Sequence, residues 1–372
     1  MIIRSLALAA SILYIRYCFL RARWQGGAVL PRTAYFARGA FTRDIEALKT
    51  VQDIQLNGNI LRRLFMLIVE PYQLEQIVCL YYAEPLRLSL ASVISVFSNE
   101  CERSGVHSIY FGGIDYFEVI VFEKHARERG LKSVAIFHEN YTIPLVVRQT
   151  ENLLSSYPEV PKFTRVYAIG PPALDILKQL FVDVRPHTSS RFRYSMVCHE
   201  FERDLLLIPF SDIAYFAPTA FSITYAFLVD LVKQASATIF VKHKNHVEQR
   251  RFIRSFGRAK GFQHVISPSA SELSASSRVV VCFNSLVYFE ALARGHLIAI
   301  PDFAEAKLGE MYSQHCLLPE ISHAGIRYFS SITDLENILC EARALIPTDR
   351  LQWAEARRAL LGRSFYCDEI VD

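Results

Sequence analysis

The stretch Ser276–Pro301, SSRVVVCFNSLVYFEALARGHLIAIP, decides the fold of this chain. Its unbroken apolar run, 279–283, is typical of a parallel strand that is covered on both faces. Residues 286–294 have helical spacing and are followed by a glycine, which commonly ends a helix. Residues 297–300 are apolar again, and a proline follows them. The stretch therefore predicts a β-α-β unit.

Polar residues stand where the first of these two strands ends. Asn284 and Ser285 follow the strand directly, and Glu290 lies on the helix. Open α/β sheets bind ligands outside the carboxyl ends of their strands. Free N–H groups at the start of the next helix can hold phosphate. We therefore predict a phosphate-binding site, with a purely structural β-α-β unit as the alternative.

A second strand ends in basic residues. Ala237–Val241 (ATIFV) has the composition of a buried strand and runs directly into Lys242-His243-Lys244-Asn245-His246. Cationic side chains at such a place suit a leaving phosphate, because they stabilise the charge that grows in the transition state. A solvated basic turn is the alternative. Two consecutive features of this kind predict one anion-binding edge.

The pattern of apolar strand, Asn-Ser, Glu-Ala-Leu, Gly, strand and Pro resembles the nucleotide-binding half of GT-B glycosyltransferases, which consist of two Rossmann domains. It is most similar to bacterial enzymes of capsule, lipopolysaccharide and teichoic-acid assembly. The resemblance implies that Asn284 and Ser285 lie near the phosphates of the donor. It also implies that Glu290 accepts hydrogen bonds from the ribose hydroxyls.

The same resemblance extends to the basic strand end. Related enzymes often carry Lys-Pro-His-Pro or Lys-x-His there, facing the diphosphate of the donor. Lys242 matches the first position, and His243 or Lys244 would take the second, although this chain lacks the prolines. The loop 267–277, which begins at Ser267, would contact the base.

Strands alternate with helical segments along most of the chain, which predicts parallel sheets. The expected fold class is α/β, with two Rossmann-like domains facing a cleft and a C-terminal helix crossing back. The predicted strands are 33–41, 106–111, 132–137, 165–169, 205–209, 238–242, 264–266, 279–283 and 297–300. The predicted segments are 1–24, a membrane-surface or first-element segment; 25–195, the acceptor-side domain; 196–348, the nucleotide-sugar domain; and 349–372, the terminal helix.

The resemblance places a catalytic base in the first domain, where it takes a proton from the acceptor hydroxyl. Two strand ends offer candidates. His138 and Glu139 follow the strand 132–137, and Asp115 follows the Gly112-Gly113 turn. Each of these side chains could instead cap a helix or face water.

Composition limits the function classes. Of the 372 residues 51% are hydrophobic and 21% charged, which predicts a folded chain rather than a disordered one. The net charge of +4 is too small to argue for nucleic acid as a partner. The eight cysteines form no Cys-x-x-Cys pair, which favours buried thiols in a reducing compartment.

Missing motifs narrow the chemistry further. The sequence contains no Asp-x-Asp, which argues against metal-dependent transferases with one Rossmann domain. It contains neither Gly-x-Gly-x-x-Gly nor a Walker loop, which argues against dinucleotide oxidoreductases and P-loop enzymes. We therefore expect a metal-independent reaction with no cofactor besides a nucleotide-sugar co-substrate.

The N-terminal segment has two interpretations. Ser5–Ile15 is apolar and bracketed by Arg4 and Arg16, but it is shorter than the about 20 residues that a spanning helix needs. Basic and aromatic residues follow it: Arg16, Arg21, Arg23, Tyr17, Phe19 and Trp24. This flank favours a helix lying on an anionic membrane surface, with a buried first element of the fold as the alternative. The expected location is the cytoplasm, peripheral on the inner face of the membrane.

Together these features predict a glycosyltransferase. It would move a sugar from a nucleotide-sugar donor to a glycan or lipid-linked acceptor, a precursor of cell-surface polysaccharide or glycolipid. The alternatives are a glycerophosphotransferase that uses CDP-glycerol and a non-catalytic scaffold of a polysaccharide assembly complex. A sugar epimerase on the same fold fits the sequence less well.

Overall fold

The chain forms two compact units that meet in sequence close to residue 190. A computed structural model describes residues 2–26, 33–37, 42, 44–45, 53–74, 76–114, 116–137, 160–187, 201–209, 218–234, 238–282, 287, 290–291, 294, 296–301 and 325–345. Each unit contains a six-stranded sheet in which every pair of neighbouring strands is parallel. The predicted α/β class is thus confirmed.

The sheet of the first unit has the order β2-β1-β3-β4-β5-β6. Its strands are β1 Thr33–Ala37, β2 Asp53–Asn57, β3 Ser108–Gly112, β4 Lys132–Phe137, β5 Arg165–Ala168 and β6 Val184–Pro186. Its helices are α1 Ile2–Gly26, α2 Gly58–Phe65, α3 Gln76–Tyr81, α4 Ala83–Ser89, α5 Ala91–Arg103, α6 Phe117–Glu128 and α7 Pro171–Leu180, with a 3-10 turn at Pro71–Leu74.

Aromatic side chains join this sheet to its helices. Phe36 of β1 stacks on Phe111 of β3 and on Phe122 of α6, with ring centroids 5.3 Å and 5.2 Å apart. Phe97 of α5 contacts Phe122, with centroids 4.6 Å apart. All four rings are almost completely buried. Stacked and tilted aromatic pairs add to the area that they bury, so this cluster fixes α5 and α6 against the sheet.

A glycine shapes the turn from β3 to α6. Gly113 has φ +104°, and a Cβ atom built on it would lie 2.6 Å from ring atoms of Tyr116. Both its left-handed backbone and this close approach exclude a side chain. The carboxyl end of β3 therefore needs glycine at this position.

The sheet of the second unit has the order β12-β11-β10-β7-β8-β9. Its strands are β7 Arg203–Ile208, β8 Ile239–Lys242, β9 Phe262–Val265, β10 Ser277–Cys282, β11 Leu297–Pro301 and β12 Ile326–Phe329. Its helices are α8 Pro218–Gln234, α9 His246–Phe256, α10 Ala270–Ala275 and α11 Ile332–Ala344. If the six strands β7 to β12 are renumbered 1 to 6, their order across the sheet is 3-2-1-4-5-6, which is the order of the dinucleotide-binding Rossmann fold.

The strand that opened the sequence analysis lies in the middle of this second sheet. Val279, Val280 and Val281 are fully buried. The other predicted strands appear with ends displaced by a few residues. The sequence analysis missed β2, β6, β12 and the helices between residues 58 and 103. The predicted terminal helix, 349–372, lies outside the described residues.

The N-terminal helix is longer than the sequence suggested. Ser5–Ile15 was judged too short to span a bilayer, but α1 continues to Gly26 as one helix of 25 residues. Arginine is a good helix former, so the basic flank extends the helix instead of ending it. By length and composition alone α1 could cross a membrane. However, Ile15 and Phe19 are fully buried in the core of the first unit.

Candidate functional site

In the second sheet the strand order reverses between the adjacent parallel strands β7 and β10. From β7 the chain continues to β8 and β9 on one side, then returns to β10 on the other. In open α/β sheets, ligands bind outside the carboxyl ends of the two strands at such a point. Ile208 of β7 pairs with Cys282 of β10, at these ends. This edge is therefore the candidate site.

Lys242 lies at the same edge, on the opposite side of β7 from β10. Leu207 of β7 pairs with Val241, so Lys242 is level with Ile208 and with Cys282 beyond it. Two strand spacings, about 10 Å, separate the backbones of Lys242 and Cys282. Asn284 and Ser285 follow Cys282 in sequence and lie outside the described residues.

The ammonium group of Lys242 is held by backbone oxygens. Its Nζ donates to the carbonyl oxygens of His243 at 2.7 Å and of Ile266 at 2.5 Å, and the residue is 8% exposed. Burial lowers the pKa of Lys242, and the nearby carboxylate of Glu248 opposes this shift. A lysine has three N–H donors, and the two carbonyls occupy two of them. The cation is thus fixed in place at the strand end.

His243 faces the interior of the unit. Its ring is fully buried, with its Nε2 atom 3.0 Å from Nδ1 of His264 and its centroid 5.4 Å from that of Phe252. Burial, helped by the charges of His264 and Lys242, lowers the pKa of His243 to about 4. A neutral ring packed between these neighbours is a core residue. The sequence analysis predicted a phosphate contact for His243, but the ring does not face solvent.

The turn after β8 provides the N-cap of α9. The Oδ1 atom of Asn245 accepts from the backbone N–H groups of Val247 at 2.9 Å and Glu248 at 3.0 Å. The backbone N–H of exposed Lys244 donates to the carboxylate of Glu248 at 2.5 Å. These bonds use donors that a phosphate would otherwise take. The side chain of Lys244 stays exposed, so Lys242 and Lys244 are the members of the basic cluster that remain candidates for a ligand.

Glu290 lies in the segment after β10 and is 4% exposed. Arg294, four residues further on, joins this segment to α10. Its guanidinium donates to the hydroxyl oxygens of Ser274 at 3.0 Å and Ser271 at 3.1 Å, and to the carbonyl oxygen of Ser271. The sequence analysis missed Arg294, although it lies in the first stretch quoted above. An arginine before a helix-ending glycine is too common to single it out.

The loop predicted to contact the base begins beside Lys242. Ser267 is exposed and follows Ile266, whose carbonyl oxygen binds the Lys242 ammonium. Ser269 then caps α10, with Glu272 completing the capping box. Lys242 and Ser267 thus lie close together at the carboxyl ends of the neighbouring strands β8 and β9.

The candidate bases of the first unit, His138, Glu139 and Asp115, lie outside the described residues. A different carboxylate is visible near the same strand ends. Glu118, in the first turn of α6, is fully buried, and its Oε1 atom lies 3.4 Å from where a Cβ of Gly58 would be. The sequence analysis missed Glu118. Its signal is a lone acid in the apolar run 117–122, directly after the glycine turn.

Within the part of the chain that the structure describes, no group of three or more His, Cys, Asp or Glu side chains is arranged to hold a metal ion.

Comparisons with known proteins bear on the fold. No protein-family model matches the sequence, and no curated protein matches it. Among solved structures, the chain is similar to UGT89C1 from Arabidopsis thaliana complexed with UDP. The two are 12% identical over 99% of this chain and 94% of that chain, with a TM-score of 0.53.

The chain is also similar to sucrose-phosphate synthase from Thermosynechococcus elongatus. Here the identity is 10% over 89% of this chain and 94% of that chain, with a TM-score of 0.51. At these identities the likeness concerns the fold. With its two parallel Rossmann-like sheets, the chain has the GT-B fold.

Proposed function

We propose that this protein is a glycosyltransferase that uses a nucleotide-sugar donor. One observation carries the proposal. On the second unit, Lys242 ends β8 and Cys282, two residues before Asn284 in sequence, ends β10, on either side of β7, at the point where Rossmann sheets bind nucleotides. The likeness to a structure complexed with UDP and to a sucrose-phosphate synthase, both GT-B folds, supports the same class of donor.

In the proposed reaction, Lys242 acts on the leaving group. As the bond between the anomeric carbon and the phosphate oxygen breaks, negative charge collects on the phosphate. An ammonium that two carbonyl oxygens already hold in place needs no reorganisation to stabilise this charge. Lys242, with N–H groups near Asn284 and Ser285, therefore takes the place of a metal ion.

The remaining contacts fix the nucleoside. Glu290 accepts hydrogen bonds from the ribose hydroxyls, and Ser267 borders the base. Arg294 holds the Glu290 segment against α10, the helix of the base loop, so the two contacts are joined. Specificity for the base then depends on the loop 267–277.

The acceptor reaction belongs to the first unit in this proposal. A base, Glu139 or His138 with Asp115 as the alternative, accepts the proton of an acceptor hydroxyl as its oxygen attacks the anomeric carbon. The acceptor is a glycan or lipid-linked precursor of a cell-surface polymer.

A non-catalytic scaffold is the second candidate, and a specific observation favours it. The carbonyl oxygens of His243 and Ile266 already bind Lys242, and Asn245 already caps α9. A site whose polar groups bind one another needs no ligand to satisfy them.

Calorimetric titration with UDP, CMP, CDP and GDP compounds separates these candidates. The transferase proposal predicts binding of at least one of them, and release of that nucleotide from its sugar conjugate in the presence of EDTA. Absence of binding at millimolar concentration would leave the scaffold. Turnover of CDP-glycerol instead of nucleotide sugars would identify a glycerophosphotransferase. Activity that EDTA abolishes and magnesium restores would contradict metal independence alone.

A further inference from the structure

The first helix, α1, has two apolar faces. One face packs into the core of the first unit through its buried residues Ala7, Ser11, Ile15, Cys18 and Phe19. The Phe19 ring meets the Phe97 ring of α5 edge to face, with centroids 5.9 Å apart. In addition, the hydroxyl of Tyr14 accepts a hydrogen bond from the backbone N–H of Asn57 at 2.8 Å. This face of α1 is therefore a permanent part of the unit.

The opposite face carries an exposed stripe, formed by residues 2, 6, 9, 13, 17, 20 and 24. Spacings of three and four residues place them along one side of a helix. The exposed fractions are 76% for Ile2, 65% for Leu6, 65% for Leu13, 58% for Tyr17, 42% for Leu20 and 80% for Trp24. A continuous apolar stripe of this length on a folded surface marks an interaction site.

The charges on α1 indicate which partner fits the stripe. The helix contains four arginines and no acidic residue. At 100° per residue, exposed Arg16 and Arg21 lie on opposite flanks of the stripe. Arg23 differs from them, because its guanidinium pairs with Glu100 at 3.1 Å and donates to Ser104 at 3.3 Å. An apolar stripe between exposed cations, with Tyr17 and Trp24 on it, matches an anionic lipid surface.

We propose that α1 docks lengthwise on an anionic membrane through the exposed stripe, with Arg16 and Arg21 at the lipid headgroups. A spanning orientation would strip Ile15 and Phe19 from the core that buries them. A second copy of the chain fits less well, because α1 offers no carboxylate to the arginines of its partner. The docking does not depend on the proposed chemistry, and its test uses no substrate.

Vesicle co-sedimentation of the full chain tests the stripe. Wild type should pellet with phosphatidylcholine vesicles that contain phosphatidylglycerol, and much less with phosphatidylcholine alone. Replacing both flanking arginines, R16Q with R21Q, should weaken binding about 30-fold at low salt. The control R23Q removes an arginine that is paired inside the protein, so it should keep most of the binding.

The apolar part of the stripe has its own pair of variants. The double variant L13Q/L20Q should lower vesicle binding at least tenfold, because it replaces two apolar side chains that would be buried in the lipid by polar ones. The control is Leu88→Gln on α4, which removes an exposed leucine, 69%, outside the stripe. Both proteins should keep the wild-type melting temperature, because these leucines lie on the surface. Equal binding by all variants, or no binding by wild type, would overturn the proposal.

The depth of α1 in the bilayer and the oligomeric state of the protein distinguish in-plane docking from a spanning helix and from a dimer. The chain has two tryptophans, Trp24 and Trp353, which are replaced by Phe to remove their fluorescence. In that variant, Leu13→Trp places a single fluorescent probe at the middle of the stripe. Docking in the plane predicts quenching by lipids brominated near the headgroup, about 5–10 Å deep. Strongest quenching by bromine at the chain ends would show a spanning helix. If the protein is a dimer in solution and the L13Q/L20Q variant is a monomer, the stripe binds a second copy of the chain instead.

Discussion

The two sheets of this protein have the same size and the same parallel pairing, but their chemistry is placed differently. In the second sheet, Lys242 is the last residue of β8 and Asn284 follows β10 within two residues. In the first sheet, the buried carboxylate near the strand ends is Glu118, which lies on a helix beyond a glycine turn. Polar residues that end a strand or directly follow it can be found from sequence. Those that reach the same edge from a helix are easily overlooked.

The strand orders differ as well. In the first sheet the strand order reverses between β1 and β3, and β2 is the one strand beyond β1. In the second sheet it reverses between β7 and β10, and two strands, β8 and β9, lie beyond β7. Each sheet thus has one edge where a ligand is expected. The proposed function places the donor at the second edge, and the variants of Lys242 and Glu290 below test that proposal.

The glycine turn of the first sheet should show the largest effect. Gly113→Ala places a methyl group 2.6 Å from the Tyr116 ring in a left-handed backbone, and should lower the free energy of unfolding by about 3–4 kcal/mol. The matched control is Gly105→Ala, also left-handed at φ +63° but with open space around it, which should cost about 1 kcal/mol. Urea unfolding measures both. Equal losses would show that the turn is not tightly packed.

At the second sheet, Lys242→Met should affect turnover most. Methionine keeps the apolar stem but removes the charge, so kcat should fall on the order of 10²-fold. Lys260→Met removes an exposed charge just before the start of β9, at the opposite end of the strands, and should leave kcat within about twofold, because surface charges act weakly. A Lys242 variant with wild-type kcat and an intact fold would remove this residue from the mechanism.

Glu290→Gln should act on binding instead. Losing the charged acceptor of the ribose hydroxyls should weaken nucleotide binding by about 1.5 kcal/mol, or roughly tenfold in Kd. The loss should be the same for UDP and for a UDP-sugar, since both contain the ribose. Calorimetry on the two ligands checks this, and an unchanged Kd for both would remove Glu290 from the site.

His243 should affect the pH dependence of stability rather than catalysis. Burial depresses its pKa from the ordinary value of 6.5 to about 4, so the folded ring stays neutral where the unfolded ring takes up a proton. Its contribution is complete above pH 6.5 and is lost as pH falls toward 4, by up to about 1.4 kcal/mol per pH unit. His243→Leu should therefore flatten the decline of unfolding free energy between pH 6.5 and 4. His246→Leu, at an exposed position, should not, and identical slopes would contradict this role.

Much of the fold followed from local patterns. Residues 279–283 are an unbroken apolar run because β10 is covered on both faces, and this is visible without any partner strand. The order of the strands is not local, since it depends on pairings between distant segments. The same holds for Arg23, which the sequence assigned to the membrane flank. Its partner Glu100 lies far along the chain, and no feature near Arg23 reveals the ion pair.

For the candidate site, the sequence indicates which residues stand near a strand end but not how their side chains are oriented. Lys242 was identified because it stands at a strand end and Ser267 because it begins a loop, and the structure brings them together through the carbonyl oxygen of Ile266, which binds the Lys242 ammonium. His243 has the same position in the sequence pattern, but its ring turns toward His264 and Phe252. Which way a strand-end side chain turns depends on the helix that packs over it. A pattern of residue types does not contain that information.

The position of a bound nucleotide tests the central claim most directly. A crystal of the protein soaked with the nucleoside diphosphate that binds best in calorimetry would show it. The account predicts the diphosphate at the carboxyl ends of β8 and β10, within reach of the Lys242 ammonium, and the ribose beside Glu290. A diphosphate bound on the first unit, or at the opposite edge of the second sheet, would contradict it.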